Sequence, residues 1–396
     1  MKSRERVQIA LNHQEPDRVP IDLGGTVVST IAIPTYAALR RHLGLAEKPI
    51  ETLEFVQQVA RVDEDVMERL GVDVIPVFAN APDAPAPALA TAPDGTVSFQ
   101  DDFGATLKQP AGCHYFDWQE FPLPEPSLTA LAKIPWPDPA DPGRYRGLRN
   151  RVQALRAGTD RALFGMAPCG HDMFNQLFRV RGMENGLMDL VAEPEFAEAF
   201  FDRLCDTICT AQKLFLTEVG DLIDVQFAAD DLAGQSGPLI SPELWRRMIK
   251  PRQARIIATI KAHTRAPVFY HSCGAVTEFL DDLIEIGVDI LNPVQVSATG
   301  MDTVQLKKRF GKRLSFWGGG CDTQKVLNSG TPDEVRHEVR RRIRDLAPGG
   351  GFVFNPVHNI QPLVPAANVA AMFDAALEFG RYSQTADGIQ EAKQIR

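Results

Sequence analysis

Residues 269–274 read Phe-Tyr-His-Ser-Cys-Gly, which sets an imidazole, His271, two residues before a thiol, Cys273, just behind a short apolar run. Imidazole nitrogen and thiolate sulfur are the donors that zinc prefers, in a tetrahedral set that keeps one position open when the metal is catalytic. A His-x-Cys pair is half of such a set, so further donors must come from other parts of the chain. Similar residues follow other apolar runs: Cys169 and His171 after 162–166, Asp230 and Asp231 after 222–228, Cys321 after 314–317, and His358 after 352–355. Three of the six cysteines and three of the eight histidines fall at such run ends together with this pair, and that clustering points to a site.

Residues so far apart meet only if the runs are parallel strands whose ends share one rim. The chain alternates short β-like runs (72–77, 162–166, 222–228, 267–270, 289–292, 314–317 and 352–355) with amphipathic helical stretches, the pattern of a parallel sheet with helices outside it. With an eighth run near 19–23 or inside 80–141, this predicts a closed (β/α)8 TIM barrel, in which active sites lie at the C-terminal strand ends. No glycine fingerprint follows the first run, which argues against a dinucleotide fold. Helix signals are local and clear. Ser241 precedes Pro242, Thr331 with Glu334 forms a capping-box pattern, 195–219 keeps helical spacing, and Pro251 should divide the run 243–263. We expect one domain over residues 1–396 with an N-terminal extension. Residues 80–141, rich in Pro, Asp and Gly, form an elaborated β excursion whose aromatics argue against disorder.

In this frame His271 and Cys273 are an expected pair of metal ligands, to be joined by donors from other strand ends. Asp230, Asp231 and His171 are candidates for proton handling or substrate anchoring, and one of the two adjacent aspartates should bond backbone at the rim. Phe174, Tyr270, Trp317 and Gln235 are candidate substrate contacts, although the aromatics serve core packing equally well. Asp172 is expected to cap the helix that starts at Met173, and Cys205 and Cys209, on one helix face, read as small buried apolar residues.

The stretches RERVQIALNHQEPDRVPIDLGGT, AADDLAGQSGPLISPELWRRMIKPR, FYHSCGAVTEFLDDLIEIGVDILNPVQ and GGGFVFNPVHNIQPLVPAANV resemble the uroporphyrinogen decarboxylase superfamily. The resemblance implies a (β/α)8 barrel and one of two activities. One branch decarboxylates uroporphyrinogen. The other comprises zinc-dependent methyltransferases that work with a corrinoid protein or a thiol, and we expect its acceptor here to be a corrinoid, a thiol or tetrahydrofolate. True decarboxylases carry an Arg-x-x-x-Arg loop that grips carboxylates, whereas residues 23–28 here read Leu-Gly-Gly-Thr-Val-Val with no arginine. Their characteristic tyrosine is replaced by Phe174, while His358 matches their late histidine. The methyltransferases place zinc on a His-x-Cys pair, matched by His271 and Cys273, and on a distant cysteine whose place is taken by His358, which makes His358 the implied third ligand and Cys321 its substitute or a fourth. The resemblance therefore implies a zinc-dependent O-demethylating methyltransferase. A metal-free decarboxylase and a non-catalytic binding member are the alternatives.

A net charge of -9 with interspersed signs offers no basic stripe, so nucleic acid is not an expected partner. No apolar run reaches the roughly 20 residues that span a bilayer, and the N-terminal residues suit an amphipathic helix better than a signal peptide, so a cytoplasmic location with no membrane partner is expected. Scattered cysteines fit reduced thiols. A small-molecule substrate is the expected ligand.

Overall fold

Seven of the apolar runs become strands because each is short, apolar and broken by Gly, Pro or Asp. In the computed structural model, which describes residues 1–382, they are β1 (Val74–Phe78), β2 (Ala162–Met166), β3 (Val225–Ala229), β4 (Val268–His271), β5 (Ile290–Asn292), β6 (Ser315–Trp317) and β7 (Phe352–Val353). They pair in chain order in one curled, wholly parallel sheet, with Phe227 opposite Phe269, Tyr270 opposite Leu291 and Trp317 opposite Val353. The third strand begins later than its apolar run, because Leu222 is still tied to the preceding helix by its bond to the Val219 carbonyl.

The eighth position is filled by a segment too brief to count as a strand. Asp22 donates its backbone N–H to Phe354, Phe354 donates to Pro20, and Asp73 donates to Ile21, so residues 20–22 bridge β7 and β1. Pro20 has no N–H to extend the ladder. The gap is pinned by Asp73, fully buried, whose carboxylate accepts from Arg6 Nη1 (2.6 Å), Arg18 Nη1 (2.7 Å), Ser3 Oγ (2.6 Å) and the Ile21 N–H (2.9 Å).

Alternate strand residues face opposite sides. The inward set includes Ala162, Phe164, Met166, Val225, Phe227, Ala229, Phe269, Ile290, Trp317 and Val353, which fill the barrel. Its centre is aromatic, with Phe164 edge-on to Phe269 (4.9 Å) and to Trp317 (5.5 Å). The outward set packs against helices. Of these, Pro194–Val219 matches its periodicity, Pro242–Met248 and Lys250–His263 divide at Pro251, and Thr331 with Glu334 closes a complete capping box. The excursion holds a four-stranded antiparallel sheet, Ala90–Thr91, Val97–Gln100, Thr106–Gln109 and Asp117–Glu120. It reaches the barrel rim through Asp101 on Arg179 (2.5 Å) and through Tyr115, whose hydroxyl meets Gln361. Among the described residues no helix is long and apolar enough to cross a membrane.

Removing the Asp73 carboxylate leaves Arg18 and the Nη1 of buried Arg6 without their shared partner, with only Asp17 still on Arg6. Asp73→Ala should therefore cost about 3–5 kcal/mol, the cost of breaking a buried ion pair. Urea unfolding followed by circular dichroism measures this directly; a change below about 1 kcal/mol, the range of surface pairs, would remove Asp73 from the closure.

Candidate metal centre

Strand parity places the first donor. His271 continues the inward series of Phe269, so its ring enters the barrel mouth, while Tyr270 beside it faces the helices. His271 Nδ1 lies 2.6 Å from Asn292 Oδ1, the inward residue that ends the neighbouring β5. A carboxamide oxygen only accepts, so Nδ1 carries the proton and Nε2 keeps its lone pair. Asn292 is in turn held by donating its amide to the Trp317 carbonyl at 2.9 Å. This arrangement of ligand and orienting partner is the one metal-binding histidines use.

Cys273 stands just past the strand, with Sγ 3.5 Å from His271 Nε2. Its backbone N–H donates to Asp231 Oδ1 at 2.7 Å, and Gly274 follows with φ of +90°. A Cβ at Gly274 would strike the Ala233 carbonyl, so only glycine lets this loop lie against the loop after β3. His358 arrives from the loop after β7, its ring centroid 5.4 Å from that of His271. Donor atoms of His271, Cys273 and His358 all lie within 4.8 Å of one another. Around tetrahedral zinc, N and S donors stand about 3.3–3.8 Å apart, as their bond lengths require. The 3.5 Å pair already has that spacing, and a buried His271 with half-buried Cys273 and His358 fits the ion.

Electrostatics agree with ligation. Burial, with the neighbouring His271, lowers His358 to about 4, so its ring is neutral and free to coordinate at neutral pH. Burial, followed by the adjacent Asp231, raises the Cys273 thiol well above its ordinary value. Cys321 lies apart from this trio. It is fully buried with its thiol directed at the Asp322 carbonyl, so the third donor brought to the pair is the imidazole of His358.

The two aspartates divide as their parity requires. Asp230 points outward, accepts from the Phe174 N–H (2.9 Å) and from Gln253 Nε2 (2.7 Å), and is fully buried. Both aspartates accept a backbone N–H at the rim, Asp230 from Phe174 and Asp231 from Cys273, where only one was expected to. Asp231 faces the mouth, its Oδ1 3.8 Å from His271 Nε2. The helix Phe174–Arg181 thus has its first N–H taken by Asp230, and Asp172, the expected cap, makes no capping bond. Asp172 is pushed up to about 7, first by burial and then by Asp231. His171 reaches the barrel interior with its ring 4.7 Å from Phe227, and burial lowers it to about 4. Its Nδ1 is buried without a hydrogen-bond partner.

The expected substrate contacts separate from the mouth. Phe174 packs on Phe178 (4.6 Å) in the helix layer, Tyr270 is buried on the same side, and Trp317 fills the barrel centre while donating to Asp22 (2.8 Å). None of the three presents surface to a ligand. Gln235 is exposed, with its backbone carbonyl bonded to Thr299. Sequence reasoning missed Asn292, although a polar residue closing an otherwise apolar strand beside the His-x-Cys pair was a readable signal. It also missed Asp22, buried beneath the N-terminal loop and raised to about 6 by burial.

The uroporphyrinogen decarboxylase (URO-D) family matches residues 2–379. The chain belongs to that family. Relatives named uroporphyrinogen decarboxylase include one from Alkalilimnicola ehrlichii, 24% identical over 383 residues that cover 94% of this chain and 93% of that protein. Another, from Pseudoalteromonas translucida, is 25% identical over 290 residues, covering 67% of this chain and 73% of its own. Among solved structures, a methyltransferase from Methanosarcina mazei has a TM-score of 0.62 over 96% of this chain and 99% of its own, at 18% identity, a likeness of fold. The chain is thus similar in sequence to proteins named for one activity and in fold to a protein named for another.

Two outcomes test the centre. Asn292→Ala frees the His271 ring and should weaken zinc binding about 10–100-fold, the usual cost of losing an orienting partner; competition with a chromogenic chelator measures it. Binding also requires the raised Cys273 thiol to lose its proton. Above pH 7 the apparent zinc affinity should therefore climb about tenfold per pH unit, and a flat profile would show that Cys273 is not a ligand.

Proposed function

We propose that this family member is a zinc-dependent methyltransferase, an O-demethylating component that moves a methyl group from a methoxylated small molecule to a corrinoid carried by a partner protein, or to a thiol. The observation that carries the reading is the convergence of His271 and Cys273, from the end of β4, with His358, from the loop after β7, on one point. The methyltransferase fold of the Methanosarcina mazei protein is consistent with it. Zinc bound there supplies a Lewis acid with an open position for an ether oxygen or a thiol. One thiolate among the donors, instead of two, leaves less negative charge on the ion and suits polarisation of an ether oxygen.

The remaining work falls to the protein's own groups. Asn292 fixes the His271 tautomer, so that Nε2 faces the centre throughout. Asp231 holds the Cys273 backbone with Oδ1 and has its second oxygen for a proton at the mouth. Asp172, raised to about 7 by burial and then by the charge of Asp231, can hold or release a proton near neutral pH. His171, neutral above about pH 5, offers a nitrogen without a partner toward the barrel interior.

A second reading, decarboxylation without metal, is favoured by the names of the curated relatives. Against it stands the 23–28 loop, which carries no arginine to grip a polycarboxylate.

Elemental analysis and a turnover screen separate the two. The methyltransferase reading expects about one zinc per chain, lost in Cys273→Ala and His358→Ala, together with zinc-dependent demethylation of a methoxy-aromatic by protein supplied with reduced corrinoid. Release of carbon dioxide from uroporphyrinogen by chelator-treated protein would establish the second reading instead.

A further inference from the structure

We infer that Cys205 and Cys209 form a second metal site, a buried dithiol that takes one soft, thiophilic cation of the monovalent copper type. They stand one helical turn apart on Pro194–Val219, with their sulfurs 3.9 Å from each other, in the seam against the helix Lys250–His263. The pair is separate from the metal centre, whose donors are His271, Cys273 and His358.

Chemistry selects the ligand. Helix residues four apart keep their Cβ atoms about 5–6 Å from each other. A disulfide needs about 3.5–4.5 Å, so direct oxidation would have to deform a 26-residue helix. One soft atom inserted between the sulfurs removes that conflict, because it lengthens the bridge while both side chains keep helical backbone. Thiolates select such ions over hard ones. No imidazole or carboxylate joins the pair among the described residues, which disfavours a four-coordinate ion such as zinc.

Two further features favour binding. Arg255 places Nη1 4.0 Å from Cys205 Sγ while pairing with Asp206 at 2.6 Å, so its cation is shared between that carboxylate and the charge that two thiolates would create. Cys209 lines a surface cavity of about 540 Å³ with Arg255, Thr259 and Lys213, which gives an ion a route to sulfurs otherwise inside the core. The hydrogen bond from Cys205 also makes Cys209 the readier of the two to lose its proton, with Thr259 and Arg255 acting in the same direction. On binding, each thiol releases one proton to solvent and no electron is transferred.

The test uses the full chain, already offered zinc, titrated anaerobically with monovalent copper against a chromogenic copper chelator. A single copper ion should be retained, lost in both Cys205→Ala and Cys209→Ala, and kept in Cys273→Ala. Copper-edge X-ray absorption on the unsubstituted protein should show a first shell of sulfur alone, a result that does not depend on how the variants fold. Copper yielded entirely to the chelator, copper still held by Cys209→Ala, or a shell containing imidazole nitrogen would each overturn the assignment. Because zinc is measured on the same samples, failure here is distinguishable from failure of the His271–Cys273–His358 centre.

Discussion

Asp73 carries a carboxylate into a place without solvent, and the cost of doing so is met only because two guanidinium groups, a hydroxyl and a backbone N–H converge on it. That convergence ties the first helix, the loop after it and the start of β1 into one unit. It also seats residues 20–22 between β1 and β7, where a full strand would otherwise be needed. The mouth inherits its geometry from this closure. Asn355, just past β7, donates its amide to the Asp22 carbonyl, and Asn359 bonds the Thr30 N–H and the Val27 carbonyl, so the loop carrying His358 is registered against the closing segment. His271 belongs to a different part of the sheet. The two imidazoles meet only if the barrel is closed to the correct circumference.

Given a closed barrel, side-chain parity does the sorting. The single step from Tyr270 to His271 moves a group from the helix layer to the mouth, and the step from Asp230 to Asp231 does the same. Two adjacent aspartates of identical chemistry thereby take different tasks. One organises the start of the helix Phe174–Arg181, and the other holds the loop of Cys273. Position after the strand decides which.

Much of this was legible beforehand because it depends on local rules. Apolar runs, capping residues and Pro251 gave the strands and the helix division, and residue type alone marked His271, Cys273 and His358. What escaped depends on direction, not on type. Phe174, Tyr270 and Trp317 are aromatic residues near strand ends, yet packing with neighbours distant in sequence buries all three. Asp172 looked like a cap, but Asp230, 58 residues later by number, occupies the helix start. The closing segment was ambiguous because its hydrogen bonds run to Phe354 and Asp73, and neither is visible from the run 19–23 itself.

The balance of charge at the mouth and just behind it is compatible with a bound cation. Asp172, Asp230 and Cys273 are all shifted toward their protonated forms, chiefly by burial and then by one another or by Asp231. Only Arg179 relieves Asp172, and its guanidinium is already paired with Asp101, while Asp230 is relieved by neutral donors and Cys273 by no basic group. A grip on a polyanionic substrate would require the opposite arrangement, with arginines facing inward. Acidic groups crowded together without a counter-charge raise the free energy of the folded chain unless they hold protons or a positive ion shares the site. A positive ion in that place would offset the crowding, since its own charge would favour the thiolate form of Cys273 against burial and Asp231.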